Sequence, residues 1–310
     1  MKKLSIVVAL PGDNNYLREQ AEVAEATARR LDLTVQVINA HSDPVGQSQQ
    51  LLEIIQSHSA PRPDAIIVEP VNGMGLPRVA EAAVAAGIGW VISNARVDYP
   101  EQLRKLSKAP IFSVSQDHGE VGRIQGRQFA TLLPEGGTVL YLRGPAMNSL
   151  ACQRAEGLEG ALPRNVLLKT LKIQWTEESC FQSVNSWLRL STVHAANVHL
   201  IASQNTDFVL GARRAFQGLA DPAERTKWLA LPCLGAGTIS QIKPLVDKGT
   251  MTAGVVTSVT VDTAMEMVVR ALQSGVQPPE QTFVQVSSYP SVEELKQKYA
   301  KKQLAPVPAR

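Results

Sequence analysis

The chain has 310 residues, a net charge of +3 and 19% charged residues, which suits two soluble lobes better than a single core. Lys and Arg are spread along it, which argues against a dedicated nucleic-acid surface. The one basic cluster, Lys296, Lys298, Lys301 and Lys302, reads as a solvated helix face. Cys152, Cys180 and Cys233 lie far apart with no C-x-x-C, so neither a zinc site nor a disulfide framework is expected, and no apolar run reaches the ~18 residues of a membrane helix.

The chain opens on an apolar run from Leu4 to Leu10 in which Ser5 alone is polar. Such a run predicts a strand buried on both faces, as in a parallel sheet. Pro11 and Gly12 end it, and Asp13 or Asn14 is placed to cap a helix. In that helix Leu17, Ala21, Ala24, Ala28 and Leu31 form one apolar stripe. The start, Met1-Lys2-Lys3-Leu4, resembles the charged end of a signal peptide, but removing the run would delete the first strand and no A-x-A pattern follows. No export signal is therefore expected; the chain works in the cytoplasm or is a form without its leader.

The same pattern recurs. Strands are expected at 35–38, 65–68, 90–92, 111–114, 138–142, 168–173, 198–202, 228–231, 254–256 and 283–286. Helices are expected at 47–57, 76–86, 118–133, 151–162, 178–190, 208–219, 238–246, 261–273 and 292–298. This alternation predicts an α/β chain of parallel sheets with helices on both faces and right-handed crossovers. Three short extended stretches, 111–115, 254–258 and 283–288, are placed to cross between lobes. The expected division is an N-terminal lobe of 1–113 plus 258–281, a C-terminal lobe of 114–257 plus 282–303, and a tail of 304–310.

Five stretches in order, with the opening β-loop-α unit before them as a sixth, carry a family resemblance. They are Ala40-His41-Ser42-Asp43-Pro44 with Gln47 to Glu53, Pro63-Asp64-Ala65-Ile66-Ile67-Val68-Glu69-Pro70, the segment 83–92, Arg154-Ala155-Glu156-Gly157-Leu158, and Ala202-Ser203-Gln204-Asn205-Thr206-Asp207 running on to Ala212, all behind the opening β-loop-α unit. Over residues 3–300 the chain resembles the class I, sugar-type periplasmic binding proteins and the related effector domains of lac-repressor-type regulators. The resemblance implies two Rossmann-like lobes joined by a three-strand hinge, closing without chemistry over a small ligand, commonly a sugar. It implies no cofactor and no metal. The closed form would be read by an ABC permease or a signalling partner, and the chain would be a monomer, not embedded in a membrane and periplasmic by family. The regulators' DNA-binding segment has no room before Leu4, so a repressor is not expected.

The resemblance also implies a site. Asn14 and Tyr16 occupy the positions of a first-loop polar contact and a stacking aromatic, though Tyr16 also suits a surface position at a helix start. Glu69 ends the third strand, as a ligand contact or a solvated rim residue. Asn94 stands where sugar binders usually have Asp, with Arg96 as the nearest Arg beyond Ala95. Asn205 reads as a ligand contact or a helix cap, Asp117 as a hinge-side contact or a helix cap, and Trp175 falls near the second stacking aromatic. Several usual groups are changed: Cys152 aligns with a sugar-contacting Arg, Gly237 closes a stretch lacking the expected Asp, and Thr257 replaces a common Gln. Arg154 matches a position usually buried in structural contacts. An unusual sugar, a polyol or another small polar molecule is the expected ligand.

An enzyme on the same scaffold is the alternative, using Cys152 as nucleophile or the loop Gly235-Ala236-Gly237-Thr238-Ile239-Ser240 as a dinucleotide loop. The loop lacks its third Gly, and no phosphate loop or nucleophile elbow is present. The five histidines are scattered, with no H-x-x-x-H pair.

Overall fold

The computed structural model describes residues 3–57, 59, 61–73, 75–190 and 197–304. The chain divides into two compact units. One comprises Met1–Gln116, Asn148–Leu150 and Val259–Val284; the other comprises Asp117–Met147, Ala151–Ser258 and Gln285–Arg310.

The first unit is built on β1 (Ser5–Leu10), β2 (Thr34–Asn39), β3 (Ala65–Val68), β4 (Gly89–Ser93), β5 (Ile111–Gln116) and β11 (Gln281–Val284), in the order β11-β5-β4-β3-β1-β2. All its pairings are parallel. Helices α1 (Asn15–Arg30), α2 (Pro44–Gln56), α3 (Pro77–Ala85), α4 (Pro100–Leu106) and α11 (Val261–Ser274) belong to it. Alternate strand residues point to opposite faces, and the core divides accordingly. Val7, Ala9, Ile66, Val68, Trp90 and Ile92 pack with Leu51, Val79 and Ala83 of α2 and α3. Ile6, Val8, Ile67, Val91 and Phe112 pack with Leu17, Ala24, Met265 and Val268 of α1 and α11. Covering both faces is why these strands are apolar at nearly every position.

The second unit contains β6 (Gly137–Arg143), β7 (Val166–Lys172), β8 (Val198–Ser203), β9 (Cys233–Gly237), β10 (Ala253–Thr257) and β12 (Val286–Tyr289), in the order β12-β10-β9-β8-β6-β7. Only β12 runs antiparallel, against β10. Its helices are α5 (His118–Leu132), α6 (Ser149–Ala161), α7 (Glu177–Leu188), α8 (Thr206–Gln217), α9 (Pro222–Ala230), α10 (Ile239–Asp247) and α12 (Val292–Leu304). Gly122 of α5 and Gly157 of α6 let two helix backbones meet. A Cβ on Gly122 would overlap the Arg154 carbonyl, and one on Gly157 would overlap the carbonyl of Gly119.

Three expectations are corrected. The strand placed at 228–231 is the end of α9; Asp221 caps that helix through the Ala223 amide and Pro222 opens it, a start signal stronger than the short apolar run after it. Trp228 lies stacked on Phe216 at 5.2 Å and edge-on to Trp187 at 5.6 Å, and the strand follows at Cys233. The single stretch at 283–286 is two strands in different units, broken at Gln285: β11 joins β5, while β12 joins β10. Leu304, placed at the start of the tail, is the last residue of α12; residues 305–310 lie outside the described residues.

Candidate functional site

In open parallel sheets ligands bind beyond the carboxyl ends of the strands. In the first unit that end carries Tyr16, Glu69, Asn94 and Gln116. Asn94 directly follows β4 and is 4% exposed. Its φ of +51° is left-handed, a conformation Asn tolerates better than most residues. The Asn94 Nδ2 donates to Tyr16 Oη and to Glu69 Oε2, both at 3.0 Å. Its Oδ1 is buried with no hydrogen-bond donor among the described residues.

Tyr16 is the hub of this cluster. Its hydroxyl lies 3.1 Å from Gln20 Nε2, 3.0 Å from Asn94 Nδ2 and 3.0 Å from Gln116 Nε2. All three amide nitrogens donate to it. Gln20 is held by the Thr260 and Val261 amides on Oε1, and Asn94 by the Glu69 carboxylate on its nitrogen. Glu69 is positioned from behind by the buried Gln47 of α2, which donates to the Glu69 carbonyl and accepts from the Val71 amide, each at 2.9 Å. Among the expected residues, Tyr16, Glu69 and Asn94 are thus brought together, and Gln20, Gln47 and Gln116 were not singled out from the sequence. Arg96 is exposed on the loop after β4.

The two capping asparagines follow one design. Asn14 Oδ1 accepts from the Leu17 amide and Asn205 Oδ1 from the Phe208 amide, each at 2.9 Å. Each cap consumes the side-chain oxygen, leaving the half-buried Nδ2 as a donor without a partner among the described residues. Capping and ligand contact are therefore compatible uses of the same side chain. Asp117 is different: one oxygen caps α5 through the Glu120 amide at 2.8 Å and the other lies 3.3 Å from Arg123. Both its oxygens are engaged.

In the second unit Trp175 stacks on Phe208 at 5.5 Å and 11° and lies against Gly144. One ring face is thus taken by the core. Thr257 and Gly237 end β10 and β9, and both are buried. A Cβ on Gly237 would come within 2.6 Å of Gln241 Oε1, which accepts from the Thr238 amide at the start of α10. Gly235 and Gly237 lie inside β9; this corrects the expectation of a glycine loop after the strand. The neighbouring Arg154 and Gln204 are scaffold: buried Arg154 donates to the Gln204 carbonyl, and Gln204 Nε2 donates to Tyr141 Oη and the Ala151 carbonyl, both at 2.9 Å.

Cys152 is half-buried on α6; its Sγ donates to the Ala146 carbonyl at 3.1 Å and lies 3.4 Å from Arg143 Nη2. Among the described residues no carboxylate or imidazole hydrogen-bonds it, so the base that a nucleophile needs is not provided. Arg143, the last residue of β6, was missed by sequence reading. Burial pushes the Cys233 thiol up to about 12 and raises Cys180 still further, so both stay protonated and enclosed near neutral pH. One of the three cysteines, Cys152, is expected to react with a disulfide reagent in the native state, and all three in denaturant. Three fast native thiols would show that the core around Cys180 opens. Among the described residues no helix is long and apolar enough to cross a membrane.

Known proteins share this architecture. The chain is 22% identical over 207 residues to a xylitol-binding protein of Mycolicibacterium smegmatis, a match covering 66% of this chain and 55% of that one, so it spans about half of that relative's length. It is 23% identical to the ribose import binding protein RbsB of Escherichia coli, covering 70% of this chain and 69% of that one. Among solved structures, a galactofuranose binding protein superposes with a TM-score of 0.79 at 18% identity over 97% of this chain and 98% of that one. A solute binding protein from Bacillus halodurans with bound myo-inositol gives 0.76 at 18% identity over 96% and 98%. The family model described as periplasmic binding protein domain matches residues 6–275, taking in β1 through α11, and the chain belongs to that family.

Proposed function

We propose that this chain is a non-enzymatic solute-binding protein that takes one small polyhydroxylated ligand and delivers it to an ABC permease outside the cytoplasmic membrane. The observation that carries the reading is Asn94 Oδ1, a buried acceptor with no donor among the described residues, beside the Glu69 carboxylate and the Tyr16 hydroxyl. A buried acceptor without a donor costs about 1–3 kcal/mol, and a ligand hydroxyl supplies the donor. Within the first unit Glu69 and Asn94 Oδ1 accept, while Asn14 Nδ2 donates; a molecule rich in hydroxyls, each both donor and acceptor, satisfies both kinds of partner. Relatives named for xylitol, ribose, galactofuranose and myo-inositol lend support.

The test is a thermal-shift screen of pentoses, hexoses, polyols and sugar acids on the parent and on Tyr16→Phe. A ligand that binds only the native state stabilises it by about 2.7 kcal/mol at a hundredfold excess over Kd. One compound raising the melting temperature of the parent, with a smaller rise in Tyr16→Phe, is expected. No rise with any compound in the screen would overturn the reading.

A further inference from the structure

We infer that Arg143 is the charge-reading residue of the second unit and that the ligand is a polyhydroxy acid, its carboxylate held by this guanidinium. The inference rests on the solute-binding reading and narrows its ligand.

Arg143 closes β6 at the end of the sheet where ligands bind, and its side chain is half-buried. Among the described residues its buried Nε has no hydrogen-bond acceptor, and its one side-chain bond is the 3.4 Å contact of Nη2 with Cys152 Sγ; sulfur is a weak acceptor. Among the described residues no carboxylate pairs with it, whereas Arg18, Arg30, Arg123, Arg127 and Arg214 each do. A guanidinium drawn partly out of water with most of its five donors unused is a costly arrangement that a bidentate oxyanion relieves.

The surroundings carry the same sign. Lys172, the register partner of Arg143 on β7, is exposed and cationic. The strands β8, β9 and β10 end on Ser203, Gly237 and Thr257, all neutral. The acidic side chain of this region, Asp207, is buried in the first turn of α8, has an interaction of its own and forms no ion pair with Arg143. In the first unit the strand-end carboxylate is Glu69, bonded to Asn94. A carboxylate on the ligand supplies the counter-charge that Arg143 lacks among the described residues. A neutral polyol leaves Arg143 without its counter-charge.

Titration calorimetry with matched pairs tests this: D-gluconate against sorbitol, D-ribonate against ribitol and D-glucuronate against D-glucose, on the parent, Arg143→Met and Arg143→Lys. A charge-assisted hydrogen bond sets the expected size, about 10- to 100-fold in Kd. One acid is expected to bind that much better than its neutral partner, with the advantage lost in Arg143→Met, partly kept in Arg143→Lys and reduced by salt. Circular dichroism and the melting temperature of the unliganded variants establish that they are folded, and Arg143→Lys carries the test if Arg143→Met is not. A neutral member binding as well as its acid, unchanged in Arg143→Met, overturns the inference and leaves the solute-binding reading standing. Binding by no member of any pair, where the thermal screen also finds none, overturns both.

Discussion

Gly157→Ala is expected to lower the stability of the folded chain by about 3 kcal/mol, at the upper end of what inserting one carbon into a packed interface costs. The new Cβ would meet the Gly119 carbonyl of α5, which is backbone and cannot rotate aside. Relief requires α6 to move away from α5, and Gly122 makes the reciprocal close approach to the Arg154 carbonyl on the same seam. Gly160→Ala, three residues on in the same helix, is the control because nothing lies within 4 Å of its Cβ position. That change is expected to stabilise by about 0.5–1 kcal/mol, since alanine loses less backbone freedom than glycine in a helix. Urea denaturation of the two variants decides the matter. Equal effects would mean that the seam is looser than the helix backbones indicate.

Asn94→Gly is expected to weaken ligand binding by about 100-fold while leaving a folded protein, the loss of one or two ligand-facing hydrogen bonds and of their orientation. Glycine accepts the φ of +51° without a steric cost, so the substitution removes the amide and not the turn. The Tyr16 hydroxyl and the Glu69 carboxylate lose the nitrogen that holds both. The orphaned Oδ1 goes with it, which offsets part of the loss in the unliganded state. Asn94→Leu places a branched side chain at a left-handed residue and adds backbone strain, so it is expected to lower the melting temperature as well. Asn94→Asp sets a second carboxylate against Glu69 and is expected to bind worst of the three near neutral pH. Calorimetry with the ligand found in the thermal screen measures all three. An unchanged Kd in Asn94→Gly would remove Asn94 from the site.

What could be read from the amino acids was what local geometry decides. The apolar run from Leu4 to Leu10 specified a doubly covered strand because every residue needs an apolar neighbour on one face or the other. Asn14, Asp117 and Asn205 were legible as caps because a cap spans three residues. Asp221-Pro222 was an equally local signal, and passing over it placed a strand where Trp228 sits on a helix. The break at Gln285 was hidden because β11 and β12 are separated by one residue and differ only in which sheet receives them.

The site was legible only in outline. Family-like motifs marked Tyr16, Glu69 and Asn94, but the meeting of the Tyr16 hydroxyl with Gln116, a hundred residues away, depends on β4, β3 and β1 lying in succession beside β5. The register of parallel strands carries no short-range signature, so nothing near Gln116 announces its partner. Arg143 had the same standing: a cation at the end of an apolar strand is an ordinary sequence feature. Its unused donors and missing counter-ion became visible only when Cys152 and the neutral ends of β8, β9 and β10 were placed around it. The amino acids determined the strands, the helices and their caps through contacts within a few residues. The tertiary structure alone decided which polar groups converge and which are left unsatisfied, because burial and pairing belong to neighbours that the chain brings in from far along its length.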